Sequence, residues 1–263
     1  MRGRFLTIGA LLLATSTAAA AEQPICTDRP SKSTGECTVP KGGWQVETGL
    51  IDWSRTESGG VRVDAVSWGS SLIKYGLREN VDFELGITPF QTLDVDAGNS
   101  HVTHSSFGDT QLRIKYRLTA PDAPLLVALA PFVKLPTANH HLGNGKVEAG
   151  LLVATSAALG KSGLTLSLDP ELDLNADGDG SGHHLATQQV LNIAVAASSK
   201  VSLSTEAWAK WDWDPAGTAK QVSWDVAGAY QPTKALQLDV GANFGLNSQT
   251  PDVEVYAGVS TRF

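Results

Sequence analysis

Three side-chain patterns in this 263-residue sequence have the types and spacing to do chemistry. Arg113, Lys115 and Arg117 put cations at alternate positions, and Asp169, Glu171 and Asp173 do the same with carboxylates. On an extended chain alternate residues share one face, so each triplet is a one-sided row of charge. Across a water-filled space the two rows would set up a transverse field of the kind that selects ions. Paired with each other, they would instead fill that space. Trp68, Phe132, Trp208 and Tyr256 stand in the same phase as charged neighbours. Rings beside charges form a path for an aromatic solute, whereas a local bulge would turn them to the opposite face.

The histidines and acidic loops carry weaker signals. His101 and His104, His140 and His141, and His183 and His184 fall in three polar segments. Imidazole is a common metal ligand, but exposed loops seldom hold a site ready, and no metal is expected. Residues 173–181 spell the first half of a calcium loop, with Gly178 at the turn. The twelfth position is His184 where such a loop needs a bidentate Glu, so a polar loop tip is expected. No nucleophile motif frames these groups, so neither an enzyme nor a cofactor is expected.

The elements that must position these residues repeat with period two. Leu164, Leu166, Leu168, Leu172 and Leu174 alternate with Thr165, Ser167, Asp169, Glu171 and Asp173. Leu112, Ile114, Tyr116 and Leu118 alternate with Gln111, Arg113, Lys115 and Arg117. This is the pattern of half-buried strands. Twelve such runs lie near 44–53, 61–77, 81–91, 107–118, 124–135, 147–159, 164–174, 185–197, 201–213, 221–231, 236–246 and 252–263. Short turns follow the even runs, and longer polar loops follow most odd ones. That asymmetry belongs to outer-membrane barrels, and an even strand count closes the sheet without edges.

The apolar phase is expected to meet lipid. The other phase carries full charges suited to a watery lumen, and aromatics such as Trp53, Phe90, Trp211, Trp213 and Trp224 cluster near strand ends as interfacial girdles do. Hydrophobic residues make up 42% and charged residues 18% of the chain. That average excludes a helical transporter, and the net charge of -7 argues against a nucleic-acid partner.

Residues 1–21 read as a signal peptide: Arg2 and Arg4, a short apolar stretch, then Ala19 and Ala21. Export would bring Cys26 and Cys37 into an oxidising compartment, where a disulfide is expected. In the chain-entropy model so short a loop contributes about 3 kcal/mol at most. The expected fold is all-β, a transmembrane antiparallel up-and-down barrel with both termini periplasmic. Residues 22–42 are expected to form a periplasmic segment ahead of a barrel at 43–263.

Several segments carry a family resemblance: Thr27-Asp28-Arg29-Pro30, the run from Pro40-Lys41-Gly42-Gly43-Trp44 to Glu47, Tyr75-Gly76-Leu77-Arg78-Glu79-Asn80, Phe107-Gly108-Asp109 and Val133-Lys134-Leu135-Pro136-Thr137. Together they resemble the outer-membrane transporter family labelled "meta-pathway of phenol degradation". The resemblance implies a bacterial outer-membrane barrel that passes small aromatic or hydrophobic molecules. It brings no catalytic residues. The terminal Phe263 resembles the C-terminal signature of such barrels, which implies the barrel-assembly machinery as a partner beside membrane lipid. The alternatives are a closed-lumen structural or surface-interaction barrel and, less favoured, an outer-membrane hydrolase.

Overall fold

The computed structural model describes residues 24–263, so the signal-peptide reading of 1–21 lies outside the described residues. The chain forms strands β1 (Trp44–Ser58), β2 (Val61–Arg78), β3 (Val81–Ile87), β4 (Phe90–Asp96), β5 (His101–Ser106), β6 (Thr110–Arg117) and β7 (Leu126–Leu135). They continue as β8 (Glu148–Ala158), β9 (Leu164–Ala176), β10 (His183–Ala196), β11 (Val201–Asp212), β12 (Ala219–Thr233), β13 (Leu236–Gly245) and β14 (Val253–Arg262).

The barrel is a closed antiparallel ring of twelve strands, because β1 pairs with both β2 and β14, and β3 pairs with β6. β4 and β5 form a hairpin on the loop-end half of β2, where Trp68 faces Phe90 and Arg62 faces Asp96. Residues 91–106, expected as a loop, are therefore mostly strand. Among them only Leu93 and Val95 in β4 and Val102 in β5 stand out as apolar, so strands this short carry too little hydropathy contrast to read. The same holds for the last turnings of β1, which runs on through Arg55 and Glu57 to Ser58. Gly59 and Gly60, at φ 59° and 80°, close β1 onto β2 in a two-residue turn that needs left-handed backbone at both positions.

Burial is inverted relative to a soluble protein. The largest fully buried side chains are Lys74 and Lys115, with Gln45, Glu47 and Glu84 close behind. Leu168, Leu172, Leu191, Leu203 and Leu238 lie exposed on the outside. Charged groups leave water only when paired, so the inside of this barrel must hold partners for them. The outer apolar face is a surface for lipid.

One bulge changes which residues face the lumen. Leu50 is skipped between Gly49 and Ile51 in the pairing of β1 with β14. Opposite it, Gly69 takes φ 67°. Below the bulge Glu47 and Lys74 point inward; above it the phase reverses. Trp68, expected to face the lumen, is consequently on the outer face and 45% exposed. It stands beside Phe90 and near Trp53 in the aromatic band at the loop end.

Candidate functional site

The lumen holds the chain's own N-terminal segment. Both of its ends lie at the turn end of the barrel: Ile25 N donates to Lys234 O at 2.7 Å, and Gly42 N donates to Gly76 O at 2.8 Å. Between them the chain rises as a loop whose neck is closed by the Cys26–Cys37 disulfide. Gly76 sits directly under the Val39 and Pro40 carbonyls, where a Cβ would collide with backbone. Residues 22–42 were expected outside the barrel; the described part, from Pro24 onward, forms a plug within it. The reason is electrostatic. The buried rows of wall charge need counter-charges, and this non-alternating segment supplies them.

The plug touches nearly every sector of the wall. Asp28 accepts from Lys115 Nζ at 2.6 Å and lies 3.0 Å from Lys74 Nζ, with the Arg113 guanidinium also in contact. Glu47 closes the same cluster on Lys74 at 2.5 Å and accepts from the backbone N of Asp28 at 2.8 Å. Arg29 pairs with Asp239 at 2.8 Å and Lys32 with Asp225 at 2.9 Å. Glu206 accepts from the backbone of Lys32 and Ser33, and Asp169 from Ser33 Oγ and Thr34 N. Ser156 donates to Glu36 at 2.8 Å, and Val39 N donates to Asp82.

The two charge rows therefore do not meet each other. Arg113 and Lys115 turn to Asp28 and to Glu84, while Asp169 turns to the plug backbone and to Thr155 N. Arg117 is not part of the lumen cluster: it donates to the Thr119 and Glu79 carbonyls at the turn end. Glu171 accepts from Gln188 at 2.6 Å. Asp173 is buried, one of its oxygens lacks a hydrogen-bond partner, and its carboxylate and the Phe132 ring both crowd Gly150.

Three of the four aromatics in the polar phase do face inward. Trp208 donates to Gln188 at 2.8 Å and has Lys32 Nζ 5.4 Å from its ring centre. Tyr256 lies against Gly241, with Arg29 5.7 Å from its ring centre. Such cation–ring contacts contribute about 0.5–1 kcal/mol or more. Around the plug, open space is split. A cavity of ≈ 460 Å³ lies on the loop side, bordered by Arg29, Ser70, Thr88, Gln111 and Lys134. One of ≈ 290 Å³ lies on the turn side, bordered by Cys26, Ser202, Gln231 and Gln237.

The loop histidines partly converge. His104 and His141 stack at 4.1 Å, and His140 lies 3.9 Å from His141. Among the described residues no group of three His, Cys, Asp or Glu side chains has metal-site geometry. Residues 177–182 form a hairpin tip, where Gly178 N donates to Asp214 and Asp179 accepts from Ser181 N. His184 is held between Asp177 at 2.9 Å and Asp212 at 2.5 Å, beyond the aromatic girdle. Burial lowers its pKa, but the bonds to Asp177 and Asp212 outweigh this and raise it above the ordinary imidazole value. The stabilisation is therefore full below the unfolded pKa and is lost as pH rises through the folded one. Limited proteolysis at 177–182 is expected to quicken across that rise, and a His184→Ala variant to be cut at a pH-independent rate.

A closed antiparallel barrel with an apolar outer face and an ionised lumen is a β-barrel of the outer-membrane channel class. The chain matches the family described as "Putative MetA-pathway of phenol degradation" over residues 27–263 and belongs to it. Among solved structures, it is similar to the COG4313 outer membrane channel from Pseudomonas putida F1, with a TM-score of 0.69 and 16% identity over 87% of this chain and 98% of that one. It is also similar to the NanC porin, with a TM-score of 0.51 and 10% identity over 83% of this chain and 98% of that one. At these identities the likeness is one of fold. No protein with a curated description matches the sequence.

Proposed function

We propose that this protein is a plug-gated channel of the bacterial outer membrane that passes small aromatic or hydrophobic molecules. The plugged lumen carries the reading. A segment fixed to the wall at eleven strands leaves no wide aqueous bore, which argues against a general diffusion porin and for a selective passage. The solute class follows from Phe132, Trp208 and Tyr256, whose rings line the loop-side lumen where a polar channel would carry only polar groups. In this reading the turn end, both chain ends and the plug neck face the periplasm. Phe263, 60% exposed and bonded through its backbone to Trp44, presents its ring to the assembly machinery.

Trp208→Ala tests the reading. In a strain lacking other porins, uptake of an aromatic growth substrate should slow by about two- to tenfold, the range that an aromatic contact supports. Uptake equal to wild type, with the barrel folded by its unboiled gel band, would sink the aromatic path. The plug also favours a second reading, a closed-lumen structural barrel. That reading predicts no uptake dependence on the protein at all.

A further inference from the structure

Between the plug and the wall of β1, β13 and β14 lies a separate cavity of ≈ 170 Å³. Asp52, Asn243, Glu254 and Tyr256 border it from the wall, and Arg29 and Lys32 from the plug. Asp52 and Glu254 stand against each other there. Among the described residues neither has an ion-pair partner, because Arg29 is committed to Asp239 and Lys32 to Asp225. Asn243 is only 5% exposed. Its Nδ2 donates to Glu254 at 2.7 Å, which fixes the amide orientation, since a carboxylate only accepts. Its Oδ1 is buried with no hydrogen-bond partner. The cavity thus holds one buried acceptor, Asn243 Oδ1, that no donor reaches, beside two carboxylates that no cation pairs, an arrangement that folded proteins avoid unless something fills it.

We propose that this cavity binds a protonated primary amine. An ammonium group has three N–H donors, and the wall offers three acceptors: Asp52, Glu254 and Asn243 Oδ1. The Tyr256 ring supplies an aromatic face for the same charge. The volume corresponds to roughly five waters, which suits a short alkylamine. The neighbouring wall already holds an ammonium in this way: Lys32 Nζ sits 2.9 Å from Asp225 and 5.4 Å from the Trp208 ring centre. A hard divalent ion takes about six to eight oxygen ligands. Here the remaining boundary is partly cationic, from Arg29 and Lys32, which repels a dication more than a monocation.

Methylammonium is the probe, and saturation-transfer NMR on the refolded full barrel is the measurement. Saturable binding is expected in wild type, weakened about tenfold in Glu254→Gln and in Asp52→Asn by loss of a charge-assisted hydrogen bond. Tetramethylammonium, which has no N–H, should bind far more weakly. The unboiled gel band shows that each barrel is folded, and the two variants are independent of each other. The assignment is overturned if folded wild type shows no saturable binding, if both folded variants bind as wild type does, or if tetramethylammonium binds equally well. Calcium displacing the probe at lower concentration than the probe itself requires would overturn it in favour of a metal. The inference does not rest on the transport reading: it is measured without transport, and Trp208 does not border this cavity.

Discussion

Deleting residues 27–36, the loop above the Cys26–Cys37 neck, is expected to raise single-channel conductance by roughly tenfold or more, because a ring of twelve strands is wider than one its own side chains can fill. The two cysteines are replaced by Ser in the same variant so that no thiol is left over. The emptied lumen should also select cations. Its buried wall groups are the carboxylates of Glu47, Asp82, Glu84, Asp169, Asp173, Glu206, Asp225 and Asp239 against the cations Lys74, Lys115 and Arg262, with Arg113 beside them. Planar-bilayer recordings give both quantities, the second from the reversal potential in a salt gradient. A deletion variant that folds but conducts no better than wild type would show that the plug is not what blocks the path. An anion-selective current would show that the wall charges do not govern it.

The barrel itself was legible in the sequence because lipid and water impose opposite demands on successive residues of a strand. The run from Leu164 to Leu174 reads directly as a stave with Asp169, Glu171 and Asp173 inside. Where that contrast is missing, the reading stops short. Arg55, Thr56 and Glu57 belong to β1, and 91–106 to a hairpin, yet the first are polar on both faces and the second has only Leu93, Val95 and Val102 as large apolar residues, so both look like loop. Trp68 was misplaced for a different reason. A single skipped residue at Leu50, matched by Gly69 across the ladder, inverts every side chain beyond it, and a Gly beside an alternating run was the one available warning. The plug was hidden most thoroughly. Asp28, Arg29 and Lys32 are ordinary surface residues in composition, and only the three-dimensional closure sets them opposite Lys115, Asp239 and Asp225. The signal that could have exposed them was the surplus of inward charge. Arg113 and Lys115 face Glu84 and Asp82 across β3, but Asp169 is buried with no lysine or arginine on either neighbouring strand, β8 or β10.

That dependence sets the second large effect. Asp28→Asn keeps the size of the side chain and removes its charge. Lys74, Arg113 and Lys115 are then left with Glu47 and Glu84, so one buried cation lacks a counter-ion. Breaking such a buried set by removing one partner costs about 3–5 kcal/mol. The ring of twelve strands is held by continuous backbone ladders, whereas the plug is held mainly by side chains, so the loss falls on the plug. If the plug leaves, water reaches the cluster and the cations are solvated at once. The expected phenotype is therefore a barrel with an unchanged unboiled gel band whose current flickers to larger openings. Adding Lys115→Met to Asp28→Asn removes the surplus cation and should return the current toward the wild-type level, although it forfeits the 2.9 Å bond from Lys115 to Gly35 O. Asp28→Asn recordings identical to wild type would mean that the charge cluster does not hold the plug. Flicker that persists undiminished in the double variant would mean that the Asp28 carboxylate acts by its geometry, not by the charge balance of the cluster.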